Sequence, residues 1–127
     1  MTALKADNLT CSIGRRVIVS GIDLDVQPGT MTALVGVNGV GKSTLMRVLA
    51  GIRPATAGRV EVDGKDLSQL RPRERARLMA FVAQEEAAPE DLTLSEMVTL
   101  GRLPHLMPWQ VGGSDEKRAN ADRKSVV

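Results

Sequence analysis

The chain has 127 residues, 43% apolar and 25% charged: the length of one domain, with apolar content enough for a core. Seventeen Lys and Arg against fifteen Asp and Glu leave +2, and Phe81 and Trp109 are the only aromatics. That excludes a phosphate-backbone binder and a base-stacking platform, so no nucleic-acid partner is expected.

Cys11 is the single cysteine, which excludes an internal disulfide and a thiolate metal cluster. No apolar run approaches the ~20 residues of a membrane span. The opening residues carry Lys5 and Asp7 and do not read as a secretory signal. A soluble intracellular domain is the plain expectation.

In chain order, residues 4–9 form a weak strand candidate of mixed polarity, and residues 11–14 read as a turn. Residues 16–19 are a short β-branched run. Ile22, Leu24 and Val26 alternate with polar neighbours, the period of a half-buried strand, and Pro28-Gly29 closes it. Residues 30–35 are the most apolar strand candidate. Residues 42–50 read as a helix with Leu45, Val48 and Leu49 on one side and Gly51 as its stop. A strand over residues 59–62 runs into an Asp63-Gly64 turn. A short charged helix over residues 72–77 starts at Pro72, and residues 78–83 form a second strongly apolar strand. Thr93 and Glu96 stand in capping-box spacing and open a helix through about Leu100, with Gly101 as its stop. Beyond Met107 the pattern fades, with a weak, highly charged helix candidate over residues 114–124.

The stretch Gly36-Val37-Asn38-Gly39-Val40-Gly41-Lys42-Ser43-Thr44 fits G-x-x-x-x-G-K-[ST], with an apolar segment before it and a helix after. Glycines let successive backbone N–H groups curl around phosphate oxygens, and the helix points its amino end at the same anion. In that arrangement Lys42 reaches the β- and γ-phosphates, Ser43 offers a hydroxyl to Mg²⁺, and Thr44 adds a donor near the α- or β-phosphate. The isolated Gly14 and Gly21 read as structural.

Hydrolysis also needs a Mg²⁺-binding acid and a group that positions the attacking water. Gln84, at the end of the second apolar candidate, is either an amide that coordinates Mg²⁺ or holds a water, or simply a polar strand terminus. His105 is the single histidine and cannot make a metal site alone. A surface or helix-docking role suits it better than general-base action.

Together, the glycine loop, the Gly58-Arg59-Val60-Glu61-Val62-Asp63-Gly64 segment and Phe81-Val82-Ala83-Gln84 resemble the nucleotide-binding domain of ABC transporters, from Leu4 to about His105. Asn38 and Gly39 in the loop, and Leu45 with Leu49-Ala50-Gly51 after it, match the transporter form of this loop. The resemblance implies an α/β P-loop fold with an antiparallel β subdomain, binding ATP and Mg²⁺, with the 127 residues forming part of the domain. It implies that Gln84 belongs to the Q-loop, touching Mg²⁺ and the water side of the γ-phosphate. Residues 85–92 would then receive the coupling helix of a permease. The Gly101-Arg102-Leu103-Pro104-His105 run resembles importers of iron–siderophore complexes, haem and cobalamin. The implied partners are permease subunits, a second ATPase subunit and, indirectly, a substrate-binding protein, at the cytoplasmic face of the membrane.

Two departures stand out. The family carries an adenine-stacking aromatic near Ser12 or Ile13, which this sequence lacks; either the adenine packs on Ile13 or Arg15, or nucleotide affinity is reduced. The family's signature, Walker B, D-loop and switch histidine are not among these 127 residues, and Asp115-Glu116 follows no apolar strand. The core sheet is therefore expected to be incomplete and the chain only marginally stable, with weak MgATP binding and negligible turnover. Alternatives are a non-catalytic nucleotide-binding or permease-docking fragment, or a small P-loop kinase or GTPase. The base-reading N-K-x-D of GTPases does not occur.

Overall fold

The computed structural model describes residues 4–84 and 92–106, in two compact units that meet in sequence between Phe81 and Val82. The first unit holds a four-stranded antiparallel sheet in the order β2-β1-β3-β4: β1 Leu4–Ile13, β2 Arg16–Val26, β3 Ala57–Val62 and β4 Lys65–Asp66. Helix α1 Lys42–Leu49 packs on it, and α2 Pro72–Leu78 follows. The second unit contains α3 Leu94–Leu100 and a 3-10 turn, Leu103–His105.

Both hairpin loops of the sheet are two-residue turns. Gly14-Arg15 joins β1 to β2 with Gly14 at φ +59°, and Asp63-Gly64 joins β3 to β4 with φ +54° and +72°. Two left-handed residues in succession are what the tightest Asp-Gly hairpin needs.

Residues 4–13 form one continuous strand, so the turn expected over residues 11–14 is corrected: Cys11 is a buried strand residue, paired with Val19. The reason is a bulge at Asp7 and Asn8. Up to Ala6 the even positions face the core; after the bulge Leu9 and Cys11 do. Asn8 sits at φ +45°, and its N–H donates to Asp23 Oδ1 at 2.7 Å. One inserted residue reverses which face the following side chains occupy. Gly58 is required beside this bulge, because a Cβ there would collide with the Asp7 and Asn8 carbonyls.

The core joins Ala6, Leu9 and Cys11 of β1, Val60 and Val62 of β3, Leu67, and Leu45, Val48 and Leu49 of α1. On the opposite face of β1 and β3, Asp7 pairs with Lys5 at 3.3 Å and with Arg59 at 3.2 Å, and Arg59 also reaches Glu61 at 3.2 Å.

The two most apolar candidates are not strands. Residues 30–37 run without a ladder partner among the described residues, with Met31 98% and Val35 85% exposed. Residues 79–83 are likewise irregular, and Leu78 closes α2. A strand exists only where a neighbour accepts its N–H and C=O groups, and apolar content supplies no neighbour. The helix candidate over residues 114–124 lies outside the described residues.

Candidate nucleotide-binding site

The site is built at the amino end of α1. The loop approaches it through Gly39 at φ +83° and Gly41 at φ +101°, the latter being the residue that caps the helix. Both conformations are open to glycine and strained for other residues. Gly41 is constrained a second time, because a Cβ there would collide with Ile18 Cγ2 on β2. The loop is therefore seated against the sheet.

Helix α1 begins with Lys42, and its first regular bond beyond the cap runs from Leu45 N–H to Gly41 C=O at 2.9 Å. The N–H groups of Lys42, Ser43 and Thr44 thus precede the intrahelical ladder. Gly41 offers no capping side chain, and the first turn carries no acidic residue. A helix start without cap or carboxylate leaves its donors and its positive dipole end to an outside anion. Lys42 Nζ folds back over the loop and donates to Gly36 C=O at 2.5 Å and Val37 C=O at 2.7 Å. That places a cation above the loop.

The carboxy end of α1 anchors it. Ile52 N–H donates to Arg47 C=O at 2.9 Å and Gly51 N–H to Val48 C=O at 3.0 Å, with Gly51 at φ +69°. This pair of bonds closes a helix around a left-handed glycine.

Of the remaining predicted residues, Asn38 and Gly36 lie in the loop, Ser43 and Thr44 in the first turn of α1, and Ile13 at the end of β1, 47% exposed. Gln84 is exposed at a bend in the second unit, and residues 85–91 of the expected permease surface lie outside the described residues. His105 is exposed on the 3-10 turn, its N–H donating to Arg102 C=O at 2.9 Å. No group of three or more His, Cys, Asp or Glu able to hold a metal occurs among the described residues. Sequence reasoning missed Ile18, because its contact with Gly41 joins residues 23 positions apart and has no local signature.

The ABC transporter family profile matches residues 19–126. The chain belongs to that family. Among curated ABC relatives, it is 36% identical over 105 residues to the iron(3+)-hydroxamate import ATP-binding protein of Bacillus subtilis, covering 83% of this chain and 39% of that one. It is 34% identical over 102 residues to the ferric enterobactin transport ATP-binding protein of Escherichia coli, covering 80% and 38%. To the hemin import ATP-binding protein of Bordetella avium it is 36% identical over 116 residues, covering 90% and 44%. The chain thus spans about two-fifths of these ABC relatives. In fold it matches a dimeric bacterial ABC transporter cassette with a TM-score of 0.78 at 24% identity, over 95% of this chain and 56% of that one. A post-hydrolysis dimeric cassette bound to ADP and Pi matches with a TM-score of 0.77 at 24% identity, over 95% and 56%. The expected α/β ABC-type fold is therefore borne out. No helix among the described residues is long and apolar enough to cross a membrane.

Proposed function

We propose that the chain binds MgATP through Gly36, Asn38, Gly39, Gly41, Lys42, Ser43 and Thr44, as part of an ABC importer ATPase powering uptake of an iron–siderophore complex or haem, with cobalamin behind. The observation that carries the reading is the uncapped, carboxylate-free start of α1 beneath a glycine loop and Lys42. Backbone donors at a helix start suit a polyphosphate, and the lysine adds a point charge near its terminal groups. Ser43 offers the hydroxyl for Mg²⁺, and Gln84 is proposed as its second ligand and as the group that holds the attacking water. Ile13 offers an aliphatic surface to the adenine. The names of the hydroxamate, enterobactin and hemin relatives support the substrate class.

In this reading two such ATPase subunits work on a pair of permease subunits, contacting them near residues 84–92, at the cytoplasmic face of the membrane and fed by a binding protein. The 127 residues hold the phosphate-binding loop without a signature sequence or Walker B acid. Binding without appreciable turnover is therefore the expected behaviour of this chain alone. The alternative role, a nucleotide-binding or permease-docking fragment without catalysis, rests on the same observation. The test is titration of the chain with a fluorescent ATP analogue and Mg²⁺, with phosphate release followed in parallel. Saturable binding lost in Lys42→Ala supports the reading. ATPase activity that disappears in Lys42→Ala would overturn the expectation of negligible turnover, and absence of binding would overturn the site.

A further inference from the structure

The carboxy end of α1 borders a second cleft, of about 350 Å³, lined among others by Gly51, Arg53, Asp66, Ser68 and Arg75. Its volume lies within the range of small-molecule sites. Eight residues of helix separate it from the glycine loop, about 12 Å at 1.5 Å per residue.

Its charges are unequally committed. Arg59, also on its wall, is bound to Asp7 and Glu61. Arg53 and Arg75 are half-buried, and among the described residues neither guanidinium has a hydrogen-bond or ion-pair partner. The Arg47 and Val48 carbonyls near the end of α1 already accept from the Gly51, Ile52 and Arg53 N–H groups. A guanidinium stays charged, so two cations without a bonded partner line one recess. Asp66 lines the same recess. Its Oδ1 accepts from Ser68 Oγ at 2.7 Å and from Ser68 N–H at 2.8 Å, and these bonds hold the carboxyl below its ordinary range. Both fall on Oδ1, which leaves Oδ2 to accept from a ligand.

We propose that this cleft binds a small phosphoester that carries a free hydroxyl. The phosphate sits between Arg53 and Arg75, whose planar forks match phosphate oxygens. The hydroxyl donates to Asp66 Oδ2. A bare anion would meet only repulsion from that carboxylate, so the hydroxyl makes the ligand fit. The same chemistry occurs in a soluble sugar or glycerol phosphate and in a glycerophosphate lipid headgroup.

The proposal is tested on the full chain carrying Lys42→Ala, which removes the glycine loop's cation and keeps this cleft. Glycerol 3-phosphate and inorganic phosphate are titrated by calorimetry, and vesicles of phosphatidylglycerol in phosphatidylcholine by sedimentation. Expected is glycerol 3-phosphate binding that Arg53→Gln or Arg75→Gln weakens by about tenfold or more, the loss of a charge-assisted bond. Arg53→Lys, which keeps charge without the fork, gives a smaller loss. Asp66→Asn weakens glycerol 3-phosphate and not inorganic phosphate. Vesicle binding with the same arginine dependence and no soluble binding assigns the ligand to a headgroup. Neither kind of binding, or binding indifferent to both arginines, overturns the proposal. So does a fall in Tm on arginine replacement with no ligand effect, since the arginines then serve the fold alone. ATP binding by the unmodified chain is read separately, so failure here leaves the glycine-loop reading standing.

Discussion

Gly41 is held against Ile18 so closely that the loop residue has no room for a side chain, and it adopts φ +101° as well. Gly41→Ala therefore meets two obstacles, a collision and a strained backbone. We expect it to lower stability by about 1–3 kcal/mol and to abolish ATP binding. Adding Ile18→Ala should recover part of the stability, because the collision is relieved and the φ is not. Urea denaturation of the single and double variants checks this; full recovery would show that backbone strain contributes nothing.

Replacement of Lys42 is expected to separate binding from folding. Its hydrogen bonds run to exposed loop carbonyls and not to the core. Lys42→Ala should weaken ATP binding by about tenfold or more while moving stability by no more than about 0.5 kcal/mol. Calorimetric titration beside a thermal melt reads both quantities, and a large drop in Tm would contradict the separation.

Leu9 is fully buried, whereas Val17 on the neighbouring strand is 57% exposed. Leu9→Ala should cost about 2–5 kcal/mol through lost burial and a cavity. Val17→Ala should stay within about 0.5 kcal/mol. Equal effects in chemical denaturation would mean that β1 does not anchor the core.

The start of α3 should respond to acid. Glu96 Oε2 accepts from Thr93 Oγ1 at 2.7 Å and from Thr93 N–H at 2.8 Å, and the hydroxyl bond, then the backbone bond, hold its carboxyl below the ordinary range. A lowered folded pKa means stabilisation that is present above the unfolded value, about 4.3, and lost as pH falls through the folded value. Amide protection at Met97 should fall across that window and become independent of pH in Glu96→Gln. Side-chain NMR titration of Glu96 measures the shift, and an ordinary carboxyl midpoint would remove the basis for the effect.

Features governed by neighbours in sequence were legible. Lys42–Leu49 forms the helix expected of its apolar spacing, ended by Gly51. Asp63-Gly64 makes its hairpin, and Thr93 with Glu96 makes its capping box. The glycine loop was legible for the same reason: phosphate binding needs glycines and a lysine at fixed spacing, and spacing is a property of the chain. Residues 30–35 and 78–83 misled, because apolar content announces burial in a sheet and says nothing about which strand arrives to pair. Cys11 misled because one bulge at Asn8 reverses the alternation on which strand reading depends.

By itself, then, the sequence determined a glycine loop leading into a helix start and the family to which the chain belongs. Tertiary structure alone decided that Ile18 walls in Gly41, that Gly58 must clear the Asn8 bulge, and that Arg53, Asp66 and Arg75 share one cleft. Each of these joins residues distant along the chain. The physical reason is that local propensity acts over a few residues, whereas packing and charge act through space, and only the folded sheet sets those distances.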